Sequence, residues 1–173
     1  MDRSQGLTLI ELVMALALAG LVAALAAPSF ATALAGARRA QAVNDFVHAI
    51  HLARAAAAET GRPAVLCAGS MDCTGALDWS ERYLVFLDAD RDDPPEFDAG
   101  ERVLWRADPI QAIQRRANRG AFIFEPTGRS GTTGTLVVCD TTGRIPPRAV
   151  IVSRTGRPRT SAEDAGGRVL RCP

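Results

Sequence analysis

From Leu7 to Ala27 the chain is apolar or small at every position except Thr8 and Glu11. As a helix rising ~1.5 Å per residue, that stretch is about 31 Å long, enough to cross a bilayer core of ~30 Å. Beyond Pro28, which removes one helical hydrogen bond, the pattern turns amphipathic. Val43, Phe46, Val47, Ile50 and Ala53 recur at i, i+3, i+4 and i+7 and make one apolar stripe, while Arg38, Arg39, Asp45, His51 and Arg54 mostly face elsewhere. Gly61 and Pro63 supply the stop. The pattern predicts one long helix over 7–60, embedded in a membrane over 7–27 and amphipathic afterwards.

From 61 onward the texture changes to short apolar runs between turn residues. The expected strands are 64–67, 83–87, 102–106, 121–124, 135–139, 149–153 and 168–171; 110–119 does not settle as helix or strand. Gly and Pro clusters over 128–134 and 143–147 mark connections. The inner face of the resulting sheet is expected to include Val85, Leu104, Phe122, Phe124, Val138 and Ile151, packed against the helix stripe. No internal repeat is visible. The remaining roughly 110–140 residues make one soluble domain with its own core.

Charge sharpens this picture. The net charge is +1, but residues 59–108 hold 12 acids against 5 Arg, net −7, whereas residues 109–173 hold 4 acids against 11 Arg, net +7. All 20 basic residues are Arg, planar forks that suit phosphate and carboxylate. Four cysteines, Cys67, Cys73, Cys139 and Cys172, form an even set on the outer side of a membrane anchor, where disulfides persist. Three pairings are open. Cys67 with Cys73 would close a short loop, and Cys139 with Cys172 would tie the last residues to a strand; this is the expected arrangement. Zinc would want closer paired spacings.

Glu11 requires explanation. An acid inside a membrane segment is costly and marks a function with a partner to be named. It argues against an ordinary secretory signal, which Arg3, the apolar core and the small residues Ala24, Ala26 and Ala27 would otherwise suggest. A polar leader ending in Gly6, then Leu7-Thr8-Leu9-Ile10-Glu11-Leu12 and a Leu/Ala/Val run, resembles the class III signal of type IV pilins and pseudopilins. The resemblance implies a leader over 1–6, cleavage after Gly6 by a prepilin peptidase and methylation of the Leu7 amine. Leu7 stands where pilins most often carry Phe. It further implies that Glu11 faces the terminal amine of a neighbouring subunit in the filament.

The head resembles one branch of that superfamily, the minor pilin FimT and the pseudopilin GspH. The matching residues are Trp79, Tyr83-Leu84-Val85-Phe86 before an acidic loop, Gly100-Glu101 before Val103-Leu104, Gly128-Arg129 after an aromatic strand, and Cys139 ending a strand. The fold this implies is α+β and type IV pilin-like, a long N-terminal helix packed on an antiparallel β-sheet or β-sandwich head spanning 61–173.

Arg154-Thr155-Gly156-Arg157-Pro158-Arg159 is the sharpest candidate site. Gly156 permits a tight turn, Pro158 stiffens the segment, and Arg157 and Arg159, two positions apart in an extended stretch, point the same way. Both are expected at a hairpin tip, with Arg154 as a third contact and Arg144 and Arg148 as extensions. Guanidinium forks hold phosphate oxygens without reading sequence. A Gly-Arg-any-Arg element near the C-terminus resembles the DNA-binding motif of the FimT branch, whose members serve DNA uptake in natural transformation.

Asp88, Asp90 and Asp92 have the alternate spacing of a calcium loop, but Asp93 stands where an EF-hand needs Gly and Ala99 where it needs Glu. A solvated acidic hairpin is expected instead, with no metal and no cofactor. His48 and His51 sit three apart on the helix without a suitably spaced acid or Cys. No catalytic residue is expected. The chain reads as a minor pilin, inserted once in the inner membrane with a periplasmic head and then carried into an extracellular filament. Its partners would be major and minor pilins, the peptidase and double-stranded DNA. The alternative is a purely structural tip or assembly subunit of a type II secretion system or an adhesive pilus.

Overall fold

The computed structural model describes residues 8–128 and 131–172. The expected cleavage positions Gly6 and Leu7 lie outside the described residues, as does Arg129. Helix α1 runs over Leu9–Thr60 and contains Pro28. Thr8 caps it: its Oγ1 accepts from the Glu11 N–H (3.4 Å), and Glu11 Oε2 accepts in return from the Thr8 N–H and hydroxyl (both 2.9 Å). Such a reciprocal pair satisfies donors that every helix start leaves open. At the other end Gly61 takes the left-handed conformation (φ +70°) and donates to the Ala57 carbonyl at 3.0 Å, closing the helix as a C-terminal glycine does.

The two halves of α1 differ in what covers them. Large side chains from Leu9 to Phe30 are exposed, Leu9 at 82% and Phe30 at 71%, and burial begins only at Ala35. The first half is a bare apolar rod of the length a bilayer requires. Ala42, Val43, Phe46, Ala49, Ile50, Ala53 and Ala57 in the second half are buried against the head.

Eight strands follow: β1 Ala64–Ala68, β2 Tyr83–Leu87, β3 Arg102–Ala107, β4 Ile113–Ala117, β5 Ala121–Phe124, β6 Gly134–Asp140, β7 Arg148–Val152 and β8 Pro158–Ser161. They form two antiparallel sheets, the first in order β3-β2-β1-β5 and the second β4-β6-β7-β8. The segment before β2 stitches the sheets together, Trp79 N–H donating to the Arg115 carbonyl (2.8 Å) and Ala117 N–H to the Leu77 carbonyl (2.9 Å). One core lies between the helix and both sheets. Phe46 is its centre, edge-on to Trp79, Tyr83 and Phe122 with ring centroids 5.7–5.9 Å apart. A buried Phe of this kind resists truncation by about 3–5 kcal/mol.

The structure resolves one ambiguity and changes three expectations. The ambiguous stretch 110–119 contains β4, whose apolar alternation is broken because Arg115 occupies a core position: it is fully buried between Ile113 and Ala117. Its Nη2 donates to the carbonyls of Ser80, Glu81 and Asp108 at 3.0, 2.6 and 3.2 Å, and its guanidinium lies 4.9 Å from the Tyr83 ring centroid. Burial lowers the Arg115 pKa and raises that of Tyr83. Leu104, half-buried, packs against the core as expected. Ile151 faces outward, because its neighbours Val150 and Val152 take the inner positions; it packs instead with Ala149 and Leu170. No strand forms at 168–171, where Val169 makes one isolated bridge to Glu163. The eighth strand is β8, which starts on Pro158. Proline needs no ladder donor at the first residue of an edge strand.

Both disulfides are present, Cys67 with Cys73 and Cys139 with Cys172.

Candidate nucleic-acid interface

The turn between β7 and β8 is built from the Ser153 side chain outward. Gly156 N–H donates to the Ser153 carbonyl at 2.8 Å and Ser153 N–H to the Arg157 carbonyl at 3.1 Å. Ser153 Oγ accepts from Arg157 N–H (3.2 Å) and lies 3.0 Å from Thr155 Oγ1. Gly156 at φ +68° completes a three-residue hairpin loop of the kind that ends on a left-handed glycine. The site is also tight: an added Cβ would sit 3.2 Å from Arg54 Cδ and Nε and 3.3 Å from Phe124 Cδ1, so these side chains would have to give by a few tenths of an ångström. Glycine is favoured chiefly for conformation.

That contact places Arg54, on the last turns of α1, directly beneath the turn. The sequence pattern shows Arg54 only as a residue off the apolar stripe; nothing short of the tertiary contact reveals it as part of the site. Arg154, Arg157 and Arg159 are exposed. Arg154 and Thr155 form the tip, whereas Arg157 stands at its base and Arg159 within β8, so the expectation of two arginines at the tip is corrected. The cause is that β8 begins at Pro158, earlier than a stiffened tip would allow. Arg159 pairs with Ile151 and therefore shares its outward face.

Arg144 and Arg148 do not extend this group. Arg148 opens β7 while the turn follows its other end. Arg39 donates to the Pro146 carbonyl at 2.5 Å, which fixes that loop low on the helix. Arg39 and Arg54 are 15 residues apart on α1, about 22 Å along the axis. Arg144 also belongs to a tight turn, its N–H donating to Asp140 Oδ2 at 2.9 Å while Thr142 caps the same carboxylate.

The acidic loop leaves β2 and covers the outer face of the first sheet. Asp88 is buried, accepts from Arg91 N–H at 2.6 Å, and has its pKa raised mainly by that burial. Asp88, Asp90 and Glu101, and likewise Asp90, Asp92 and Asp98, bring carboxylate oxygens within 4.8 Å of one another. Glu101 spends both oxygens on the Ala89 and Asp98 N–H groups (2.7 and 3.1 Å), which is loop-building. The loop is not confined to the β2–β3 side: Phe97 joins the outer cluster of the first sheet with Ala121 and Ile123 of β5, and Pro94, Pro95 and Glu96 line a cleft with the same two residues. His48, for its part, packs against Trp105 with ring centroids 4.8 Å apart.

The model for the type II transport protein GspH matches residues 42–156, and the prokaryotic N-terminal methylation motif matches residues 1–27. This chain belongs to the GspH family. The fold is that of a type IV pilin, and two crystal forms of the type IV minor pilin FimU from Pseudomonas aeruginosa (strain PAO1) are similar to it at TM-scores of 0.54 and 0.56. They are 16% identical in sequence and cover 70% and 71% of this chain and 90% and 87% of theirs. At that identity the likeness is one of fold. No curated protein gives a match. Family membership makes the chain a minor pilin or pseudopilin of a type IV pilus or type II secretion system. Its bare apolar half-helix anchors it in the inner membrane with the head in the periplasm, before assembly with other pilins.

Proposed function

We propose that this minor pilin captures double-stranded DNA through the Arg turn, for uptake in natural transformation. The observation that carries the reading is the cluster of Arg154, Arg157 and Arg159, exposed around a rigid loop with Arg54 beneath it. Among the described residues, the two ion pairs are Arg82 with Asp108 and Arg168 with Asp164, and neither draws on this cluster. Planar guanidinium forks are pre-organised for phosphate oxygens, so less entropy is lost per hydrogen bond formed than with an ammonium group. They bind by electrostatic capture and read no bases. The chain acts as a binding subunit with no catalytic step of its own and no cofactor. The peptidase cuts after Gly6 and leaves Leu7 as the methylated residue. Glu11, already fixed at the helix start by Thr8, meets that amine on a neighbouring subunit.

The test is fluorescence anisotropy of labelled duplexes with the full chain in neutral detergent. Wild type should bind unrelated sequences about equally, with log K falling against log salt by about 0.9 per phosphate contacted. Arg157→Gln with Arg159→Gln should remove most binding and leave thermal stability within ~0.5 kcal/mol. Equal binding by the variant, or no wild-type binding at low salt, would overturn the reading. The second reading, a structural subunit of a type II secretion pseudopilus, is favoured by the description of the matching family model and would then stand alone.

A further inference from the structure

We propose that the DNA path continues from the Arg turn across the outer face of the second sheet, where Arg116, Arg168 and Arg171 supply further phosphate contacts. This inference rests on the DNA-binding reading of the turn. Register defines the face. Arg159 of β8 stands opposite Ile151, Ile151 opposite Thr135, and Asn118 N–H donates to the Thr135 carbonyl at 3.1 Å. The next outward row is Ser161, Ala149, Val137 and Arg116. Arg159 and Arg116 thus mark opposite edges of one face, three strand spacings apart, about 14 Å. That is the length of roughly four steps along one DNA strand at ~3.4 Å each.

The middle of this face is closed by the C-terminal segment. Leu170 is buried on Ala149 and Ile151, and Cys172, two residues on, is bonded to Cys139 of β6. Pinned in this way, the segment carries Arg168 and Arg171 to the rim of a cleft of about 310 Å³ whose opposite wall includes Arg116 and Asn118. All three arginines are exposed. Asp164 offsets one of them, accepting from Arg168 Nε at 2.8 Å, and exposed Glu163 lies nearby. Asp78 stands opposite Arg116 across an isolated bridge, so with Arg159 four cations face three acids and the face keeps a net positive charge. The acidic loop covers the outer face of the first sheet, so a polyanion held at the turn is repelled from that face and drawn over the second sheet.

Salt titrations decide it, using the full chain in neutral detergent and a labelled duplex. Arg116→Gln with Arg171→Gln should weaken binding several-fold and flatten the log–log slope by about 1.8, as expected when two phosphates are no longer neutralised. Cys139→Ser with Cys172→Ser, which frees the segment while keeping every arginine, should lower affinity in the same direction. A slope equal to wild type in the Arg116/Arg171 variant overturns the inference; if Arg157→Gln with Arg159→Gln still abolishes binding, the reading of the turn survives. If wild type does not bind, both fall. If the Arg116/Arg171 variant binds DNA normally but fails to enter purified filaments, the face docks an acidic head of another pilin, and the DNA path is refuted.

Discussion

The two sheets of the head solve the same packing problem and end with opposite electrostatics. Each lays its inner face on α1, each leaves an apolar patch outside, and each covers that patch with a loop segment that has a disulfide beside it. On the first sheet Val65, Leu84 and Phe86 are covered by Phe97, whose ring lies 5.3 Å from that of Phe86, and by the loop that Cys73 bonds to Cys67. On the second, Leu170 of the segment held by Cys172 covers Ala149 and Ile151. The covering segment is acidic in one case, from Asp88 to Glu101, and bears arginines in the other. Apolar burial fixes the architecture of both; the charges on the lids give the two sides opposite fields, and under the proposed function they set which side would meet DNA. A total charge of +1 conceals this division.

Removing the covers one at a time separates the two sides most strongly. The bridge between Cys139 and Cys172 spans 33 positions, and chain-entropy estimates for such a loop give about 3–4 kcal/mol. The bridge between Cys67 and Cys73 spans only 6 and is worth about 2 kcal/mol on the same basis. Urea unfolding of the two paired Cys→Ser variants should show the larger loss for the C-terminal bridge. Equal losses would mean that the segment over the second sheet holds without its covalent anchor.

A smaller effect distinguishes the sheets by pH. Asp140, at the end of β6, is pushed upward by burial, but the hydrogen bonds from Thr142 and Arg144 outweigh this and leave its pKa lowered. A lowered folded value contributes stability above the unfolded pKa of ~3.9, lost as pH falls through the folded value. Asp88 is the reverse: burial raises its pKa, so stability is lost as pH rises from ~3.9 through the folded value. Asp140→Asn should therefore cost stability at pH 7 and little near pH 3, while Asp88→Asn should be neutral or stabilising at pH 7. Urea midpoints at ~pH 7 and ~pH 3, on either side of the usual carboxylate range, check the pair of signs.

Much of this is legible in the chain. The helix stripe at Val43, Phe46 and Ile50 follows from periodicity, and the bare segment before Pro28 and strands such as 83–87 follow from continuous apolar runs bounded by turn residues. The gaps have physical causes. β4 is hidden because a core position is filled by Arg115, whose Nη2 is met by the carbonyls of Ser80 and Glu81 from a distant segment and of Asp108. Ile151 reads as inward-facing because a run of four apolar residues, Ala149 to Val152, has no alternation to set its phase. At the Arg turn the glycine and the arginines are legible, but Arg54 beneath them and the edge strand starting at Pro158 depend on tertiary contact. Nor can spacing reveal that Arg144 and Arg148 end near Arg39, far down the helix from the turn.

Since every basic side chain is an arginine, one reagent reports on all of them. The most direct test of the division between the sheets is arginine-selective labelling with phenylglyoxal, with and without duplex DNA, read residue by residue by mass spectrometry. DNA should protect Arg154, Arg157 and Arg159 most, and Arg116 and Arg171 next. Arg82, Arg91, Arg102 and Arg106, on the side of the first sheet, should label as they do in free protein. Protection spread evenly over both sets, or confined to the first sheet, would contradict the account.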